Sequence, residues 1–392
     1  MRTPWQLLTL GDSLDLFIDN RGKNPPYTDT GVPCVSGMAV TDRGLDFSKT
    51  RSVDEQTWLE WMPRPMRSND VILTSEAPLG RPAILRSDEP IVLAQRVFGL
   101  RGKVGVLDSR FLFYSLFTEQ VRADMLGRAT GTTVFGIRQP ALKAVSIPAP
   151  NYAQQCAIAD VLSALDDKIS ANNKLTATVD QFLAALFTRV TDGAPIIQLG
   201  AVATVNPETC RPISGGILRY IDISSVGQGS LDFPDISSWD EAPSRARRHV
   251  QSGDTLWSTV RPNRRSHTLN LSEDPLLVGS TGLAVLRPQG IGFAYLYEAT
   301  KTPAFTAYLE NVAEGSAYPA VRANRFNDAP ISWVTDSERE SFEMTAAPLR
   351  KAAESLSSEN LRLVSVRDTL LPQLMSGKLR VKDAEEIVSN AI

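Results

Sequence analysis

Apolar residues recur at alternating steps of four and three from Ile158 through Leu162, Leu165, Ile169, Asn172, Thr176, Val179, Leu183 and Leu186. That spacing predicts a heptad helix over residues 151–187, with a seam that turns polar at its middle. The same walk in the second half passes Thr345, Leu349, Ala352, Leu356, Glu359, Leu363, Val366, Leu370 and Gln373, each 187 residues beyond its counterpart. Gly193 and Gly377 follow the two patterns, as expected where helices terminate. Two amphipathic helices, each facing its own domain core, would explain the periodicity. The matched, interrupted register favours two helices that pack on each other, each about 50 Å long at 1.5 Å per residue.

The rest of the pattern is shorter-ranged. Within 1–150, β-rich runs at 71–74, 83–85, 91–94 and 104–107 alternate with Gly, Pro and Asp turns, and 111–126 reads as helix. Residues 191–335 repeat the scheme. A shift of 184 places Asp70 on Asp254, Leu112 on Leu296, Gly131 on Gly315, Ile137 on Val321 and Arg138 on Arg322. The chain therefore reads as a tandem duplication: a domain at 1–150, a helix at 151–190, a domain at 191–335, a helix at 336–376 and a tail at 377–392. The second domain links the end of one helix to the start of the other. An antiparallel pair brings those points together, with the domains at opposite ends of a rod about a pseudo-twofold axis and the tail returning towards the first domain. The expected class is α/β: two tandem mixed domains separated by an antiparallel coiled coil.

Composition narrows the chemistry. At 392 residues with a net charge of −3, the chain has room for two or three cores and no global field for nucleic acid, so any basic surface is local. No basic segment followed by a long apolar run opens the chain, and nowhere do 18 apolar residues occur together, which points to a cytoplasmic protein. Cys34, Cys156 and Cys210 lack the spacing of a zinc site or a disulfide framework.

Arg245, Arg247, Arg248, Arg261, Arg264 and Arg265 fall within 21 residues that hold one acid, Asp254. Surface arginines paired to nearby carboxylates would explain any one of them. As a cluster following an expected strand at 255–260 they favour nucleic acid, because guanidinium groups suit both phosphate and guanine edges. The equivalent loop of the first domain, Ala77-Pro78-Leu79-Gly80-Arg81, carries one arginine. Candidate DNA-contacting residues are Arg21, Lys23, Arg81, Gln95, Arg96, Thr132 and Thr133 in the first domain. In the second they are Arg261, Asn263, Arg264, Arg265, Ser280, Thr281, Ser316 and Tyr318. For the Ser and Thr residues, turn hydrogen bonding is the competing role. A rod of this length spans on the order of 15 base pairs, and unlike loops at its ends imply an asymmetric site.

Catalytic patterns fail. Asn24-Pro25-Pro26-Tyr27 matches the active-site tetrapeptide of adenine N6 methyltransferases, where it binds a flipped base. It lies too early for the strands such a domain needs, and no glycine-rich cofactor turn precedes it. It reads as a turn beside the candidate interface. His249 and His267 fall in the basic stretch, where phosphate contact or surface placement is expected. Neither a two-His metal site nor a Ser-His-Asp arrangement has support, so no catalytic or metal residues are assigned. Asp166 and Asp167, adjacent on a helix, are expected to be solvated or to face a partner.

The chain resembles the specificity subunit of type I restriction-modification systems. The likeness lies in Ala157-Ile158-Ala159-Asp160-Val161-Leu162, Leu165-Asp166-Asp167-Lys168-Ile169 and Asn172-Asn173, and in Arg367-Asp368-Thr369-Leu370-Leu371-Pro372-Gln373-Leu374 with Ser376-Gly377-Lys378-Leu379. Asp19-Asn20-Arg21-Gly22-Lys23 with Pro25-Pro26-Tyr27, and Val260-Arg261-Pro262-Asn263, add to it. The resemblance implies a subunit without catalysis of its own. Each target recognition domain would read half of a split DNA site, and the helices would set the gap and carry two modification subunits. Those partners bind S-adenosylmethionine and methylate adenine, and a restriction subunit using ATP and Mg can join. A two-module protein scaffold that binds no DNA, and a stand-alone adenine methyltransferase, are the alternatives.

Overall fold

Two short segments, Val71–Thr74 and Thr255–Ser258, are buried at every position, as strands covered on both faces must be. Each is a central strand of a four-stranded antiparallel sheet. The structure, a computed structural model, describes residues 5–42 and 44–391, so the outermost ends of the expected first domain and tail, 1–4 and Ile392, lie outside the described residues. The chain divides into two compact units, Met1–Ser170 with Asn360–Ile392, and Ala171–Glu359. Both long helices, Tyr152–Val190 and Asp336–Met375, pass from one unit into the other.

In the first unit the sheet runs Leu14–Ile18, Val97–Gly102, Val71–Thr74, Pro82–Ile84. A second sheet orders Val92–Leu93, Val32–Val35, Arg51–Val53 and Tyr27–Thr28, with its first pair parallel. A third pairs Gln6–Thr9 with Ser146–Ala149. The second unit repeats the first and third, and in the mixed sheet keeps the parallel pair but adds a strand, Ala246–His249, beyond it and lacks a counterpart of Tyr27–Thr28 among the described residues. Its sheets are Ala203–Val205, Leu283–Pro288, Thr255–Ser258, His267–Leu269; then Ile236–Ser238, Ile217–Ile221, Leu277–Ser280, Ala246–His249; and Ile196–Gln198 with Pro330–Ser332. Register is repeated too. The parallel contact Cys34–Val92 of the first unit becomes Arg219–Leu277 in the second.

A buried ion pair anchors each central strand. Arg101 grips Asp70 through Nε and Nη2 at 2.7 and 2.6 Å, and Arg287 grips Asp254 through the same two atoms at 2.9 Å each. Both carboxylates are nearly inaccessible, at 3% and 0% side-chain exposure. Each also accepts a backbone N–H three residues upstream, from Arg67 and Gln251, which closes the turn into the strand. Charges this deep persist because the fork-shaped guanidinium satisfies both carboxylate oxygens.

Within the second unit the long helices run antiparallel: Asn172 meets Glu359 at 2.7 Å, and Asp180 meets Arg350 at 2.9 Å. Arg350 is buried and also pairs with Glu298, which ties the helices to the segment Phe293–Thr300. In the first unit, Ile158, Leu162, Leu165, Leu363, Leu370 and Leu374 share one core with Phe111, Leu112 and Tyr114. The tail forms a helix, Val381–Ser389, whose Ala384 and Val388 are buried in that core.

Several local expectations need correction. Thr345 and Ala352 are exposed, and the buried stripe runs one residue later through Phe342, Ala346, Arg350 and Ala353. The helix there must also face its own unit's core, where Phe342 packs against Phe187 and Tyr295. Segment 104–107 is a turn, with Gly105 at φ 83° and the Lys103 carbonyl accepting from both Val106 and Leu107; the strand is Val97–Gly102. The helix expected at 111–126 is two, Ser109–Ser115 and Glu119–Gly127, because Thr118 turns extended between them.

Candidate nucleic-acid interface

At the end of each central strand the chain makes the same excursion. In the second unit, a 3₁₀ turn, Pro262–Arg264, is flanked by Arg261 and Arg265, both left-handed at φ 52° and 54°. In the first unit, Ala77 and Gly80 hold the corresponding places at φ 47° and 75°. Left-handed backbone is unfavourable for residues with a side chain and persists where surrounding contacts determine it. The Arg261 N–H donates to the Pro319 carbonyl at 2.7 Å, and the Arg265 guanidinium donates to the Lys301 carbonyl at 2.8 Å.

A small hairpin lies beside each excursion. Thr130 pairs with Gly136 and Gly136 with Glu76; in the second unit Glu314 pairs with Ala320 and Ala320 with Val260. All of these positions are 184 residues apart. The tips carry Thr132, Thr133, Val134 and Phe135 in one case, and Ser316 and Tyr318 in the other, all exposed. The Arg261 guanidinium stacks 4.4 Å from the centre of the Tyr318 ring, so the two loops of the second unit form one surface. Asn263 and Arg264 stand exposed beside them, and Gln228 donates to the Arg264 carbonyl at 3.0 Å. Thr281 is exposed on a turn joined to this end of the sheet through Thr259, which donates from N and Oγ1 to the Gly282 carbonyl.

In the first unit, Arg21, Gly22, Asn24, Ser75, Glu76, Gln95 and Arg96 line a polar cleft of about 490 Å³. Three expected residues meet there, and sequence reasoning missed Glu76, which has no charge pattern of its own. Arg21 is held by Asp19 through Nε and Nη2 at 2.7 and 2.8 Å, donates to the Ile137 carbonyl, and lies over the Phe98 ring. Arg96, at φ 66°, pairs with Glu76 at 3.2 Å. Gln95 donates from Nε2 to the Asn24 side-chain oxygen. Four expected residues do not line the cleft: Thr132 and Thr133, on the hairpin tip, and Arg81 and Lys23. Arg81 is bound by Asp42 at 2.8 Å, and the Lys23 ammonium lies 5.5 Å from the Trp61 ring centre.

Other assignments change. Ser280 is fully buried and its Oγ accepts the Gly282 N–H at 3.2 Å, so it serves the turn and presents nothing to a ligand. Arg265 spends its guanidinium on Lys301 and is only partly accessible. His267 is not a surface group: it is 5% exposed and stacked 4.9 Å from Trp257. Burial holds its imidazole down to about 4, against a backbone bond to Arg265 that acts the other way. Arg248 is likewise pushed below the usual guanidinium range by burial, and its Nε has no partner among the described residues. Asp166 accepts from the Tyr114 hydroxyl at 2.7 Å and from Arg367 at 2.8 Å, so it is structural rather than solvated. Asp167 is exposed and pairs with Arg86. Among the described residues, no group of three His, Cys, Asp or Glu is placed to hold a metal ion, and no helix is long and apolar enough to cross a membrane.

Residues 65–181 match the family model described as the type I restriction modification DNA specificity domain. This stretch contains the central strand of the first unit, Ser75, Glu76, Gln95 and Arg96 of the cleft, and the 130–136 hairpin. Over this stretch the chain is similar to type I DNA specificity domains. Its first 28%-identical relative, over 176 residues, is the type I restriction enzyme MjaVIII specificity subunit of Methanocaldococcus jannaschii, matched over 43% of this chain and 41% of the relative. The MjaIX specificity subunit of the same organism is 30% identical over 137 residues, 35% of this chain and 31% of the relative. The chain thus spans well under half the length of the curated family members it matches. The fold is shared more widely: the crystal structure of the type I restriction-modification S subunit from M. genitalium superposes with a TM-score of 0.60 at 17% identity, over 94% of this chain and 96% of that one.

Proposed function

We propose that this chain is the DNA sequence-specificity subunit of a type I restriction-modification complex, reading a bipartite, asymmetric site and directing adenine methylation. The observation that carries the reading is the duplicated excursion and hairpin at the sheet end, built on one backbone plan with different side chains. Equivalent scaffolds with unequal loops suit two different half-sites, because backbone contacts position a reader and side chains specify the bases. The first unit offers a polar cleft, the second an arginine and tyrosine surface.

Catalysis belongs to partners in this reading. Asn24 is engaged by Gln95, and the Tyr27 ring is covered by the Arg51 guanidinium at 3.4 Å, an arrangement unlike a flipped-base pocket. Two modification subunits carrying S-adenosylmethionine would dock on exposed faces of the long helices, in the cytoplasm. Where a restriction subunit joins, the same recognition would direct cleavage. The direct test is binding of the full-length chain to a randomised duplex pool over a range of salt. A selected motif of two fixed blocks around an unselected gap supports the role; salt-insensitive behaviour with no duplex binding favours a protein scaffold.

A further inference from the structure

The cleft of the first unit holds two guanidinium groups, and both are compensated: Arg21 by Asp19, Arg96 by Glu76. That makes it a poor phosphate cradle, which needs uncompensated positive charge. The polar surface that remains is amide, from Asn24 and Gln95.

Both amides stand on pinned backbone. The Gln95 carbonyl accepts the Gly37 N–H at 3.1 Å, and the next carbonyl, of left-handed Arg96, accepts the Ser75 N–H at 2.9 Å. The Asn24 loop is fixed by buried Asn20, whose amide donates to the Leu93 carbonyl at 3.1 Å, two residues before Gln95. Pro25, buried, fixes the other side. The side chains are exposed while their supports are not.

The hydrogen bond from Gln95 Nε2 to Asn24 Oδ1 orients the pair. It consumes one donor and one acceptor, leaving Gln95 Oε1 as an acceptor beside donors on Asn24 Nδ2 and Gln95 Nε2. An acceptor next to a donor complements the major-groove edge of adenine, which offers the N6 donor and the N7 acceptor. Guanine offers two acceptors there and would set O6 against Oε1. Resting on the DNA-reading role above, we propose that the Asn24–Gln95 amide pair is an adenine-reading element of the first unit. The second unit has no equivalent amide: the Arg96 carbonyl that accepts the Ser75 N–H has its counterpart in the Gly282 carbonyl that accepts the Thr259 N–H, so Gln95 is matched by the exposed hydroxyl residue Thr281. The selected adenine belongs to one half-site only.

The test is duplex selection with the full-length chain as wild type and as Gln95→Ala, Asn24→Ala and, in the other unit, Asn263→Ala. Both Gln95 and Asn24 are exposed, and matching thermal melts verify that the variants fold. In the wild-type motif one half-site contains a strongly selected adenine. Gln95→Ala and Asn24→Ala each lower selection at that position by about tenfold or more and leave the other half unchanged, while Asn263→Ala spares it. An unaltered motif in both variants, or equal weakening on every sequence, overturns the adenine element while the specificity role stands. A wild-type chain that selects no motif overturns both.

Discussion

Asn172 and Glu359 occupy the same step of two seams 187 residues apart, and they touch: Asn172 Nδ2 donates to Glu359 Oε2 at 2.7 Å. The repeat therefore pairs with itself at its polar step. Asn172→Leu takes a donor from the half-buried Glu359 carboxylate and should destabilise the chain by about 1–3 kcal/mol. Replacing both residues by Leu should recover that loss, since a well-packed apolar pair matches or exceeds a buried polar one. Urea unfolding of the single and double variants measures both effects; a double variant weaker than the single would contradict this account.

The Asp–Arg anchors predict a larger effect. Asp254→Ala leaves Arg287 buried with Glu208 as its remaining carboxylate, and Asp70→Ala leaves Arg101 with the Pro65 carbonyl. By denaturant titration the loss should be about 3–5 kcal/mol for Asp70→Ala, which leaves the Arg101 charge with a carbonyl alone, and smaller for Asp254→Ala, where Glu208 still compensates Arg287.

His267 makes stability fall on acidification. Its folded value of about 4 lies below the unfolded value near 6.5, so the unfolded chain takes up the proton first. The contribution is complete above pH about 6.5 and is lost as pH falls towards 4, up to about 3 kcal/mol in all. Lys301 and Arg265 nearby reinforce the depression and Asp180 opposes it. His267→Gln should flatten the stability profile between those limits, whatever its effect on stability at neutral pH.

Arg264 is exposed on the second unit's turn. Arg264→Ala should weaken binding by about 1–3 kcal/mol for one half-site only. Measuring affinity for duplexes altered in each half separates this from a phosphate contact, which would weaken all sequences alike.

Much of the fold was legible because duplication prints the same constraint twice. The helices announced themselves by period, and Asp70 with Asp254 by their shift. What escaped was decided across the fold. Ser280 and Thr281 look alike as sequence, yet the strand ends between them, burying one side chain and exposing the other. Arg265 reads like Arg264 until its left-handed backbone turns it onto Lys301. His267 sits in a basic stretch but on a strand facing Trp257. Glu76 acquires significance only where the cleft gathers it, beside the Asn24 loop that the sequence already places at the interface.

The most direct test of the proposed specificity role is base-resolution mapping of methyladenine in DNA from cells carrying this chain with the modification subunit proposed as its partner, against cells lacking only this chain. The account predicts a split, asymmetric motif that disappears with the chain. Unchanged methylation from a demonstrably expressed, active complex would contradict it.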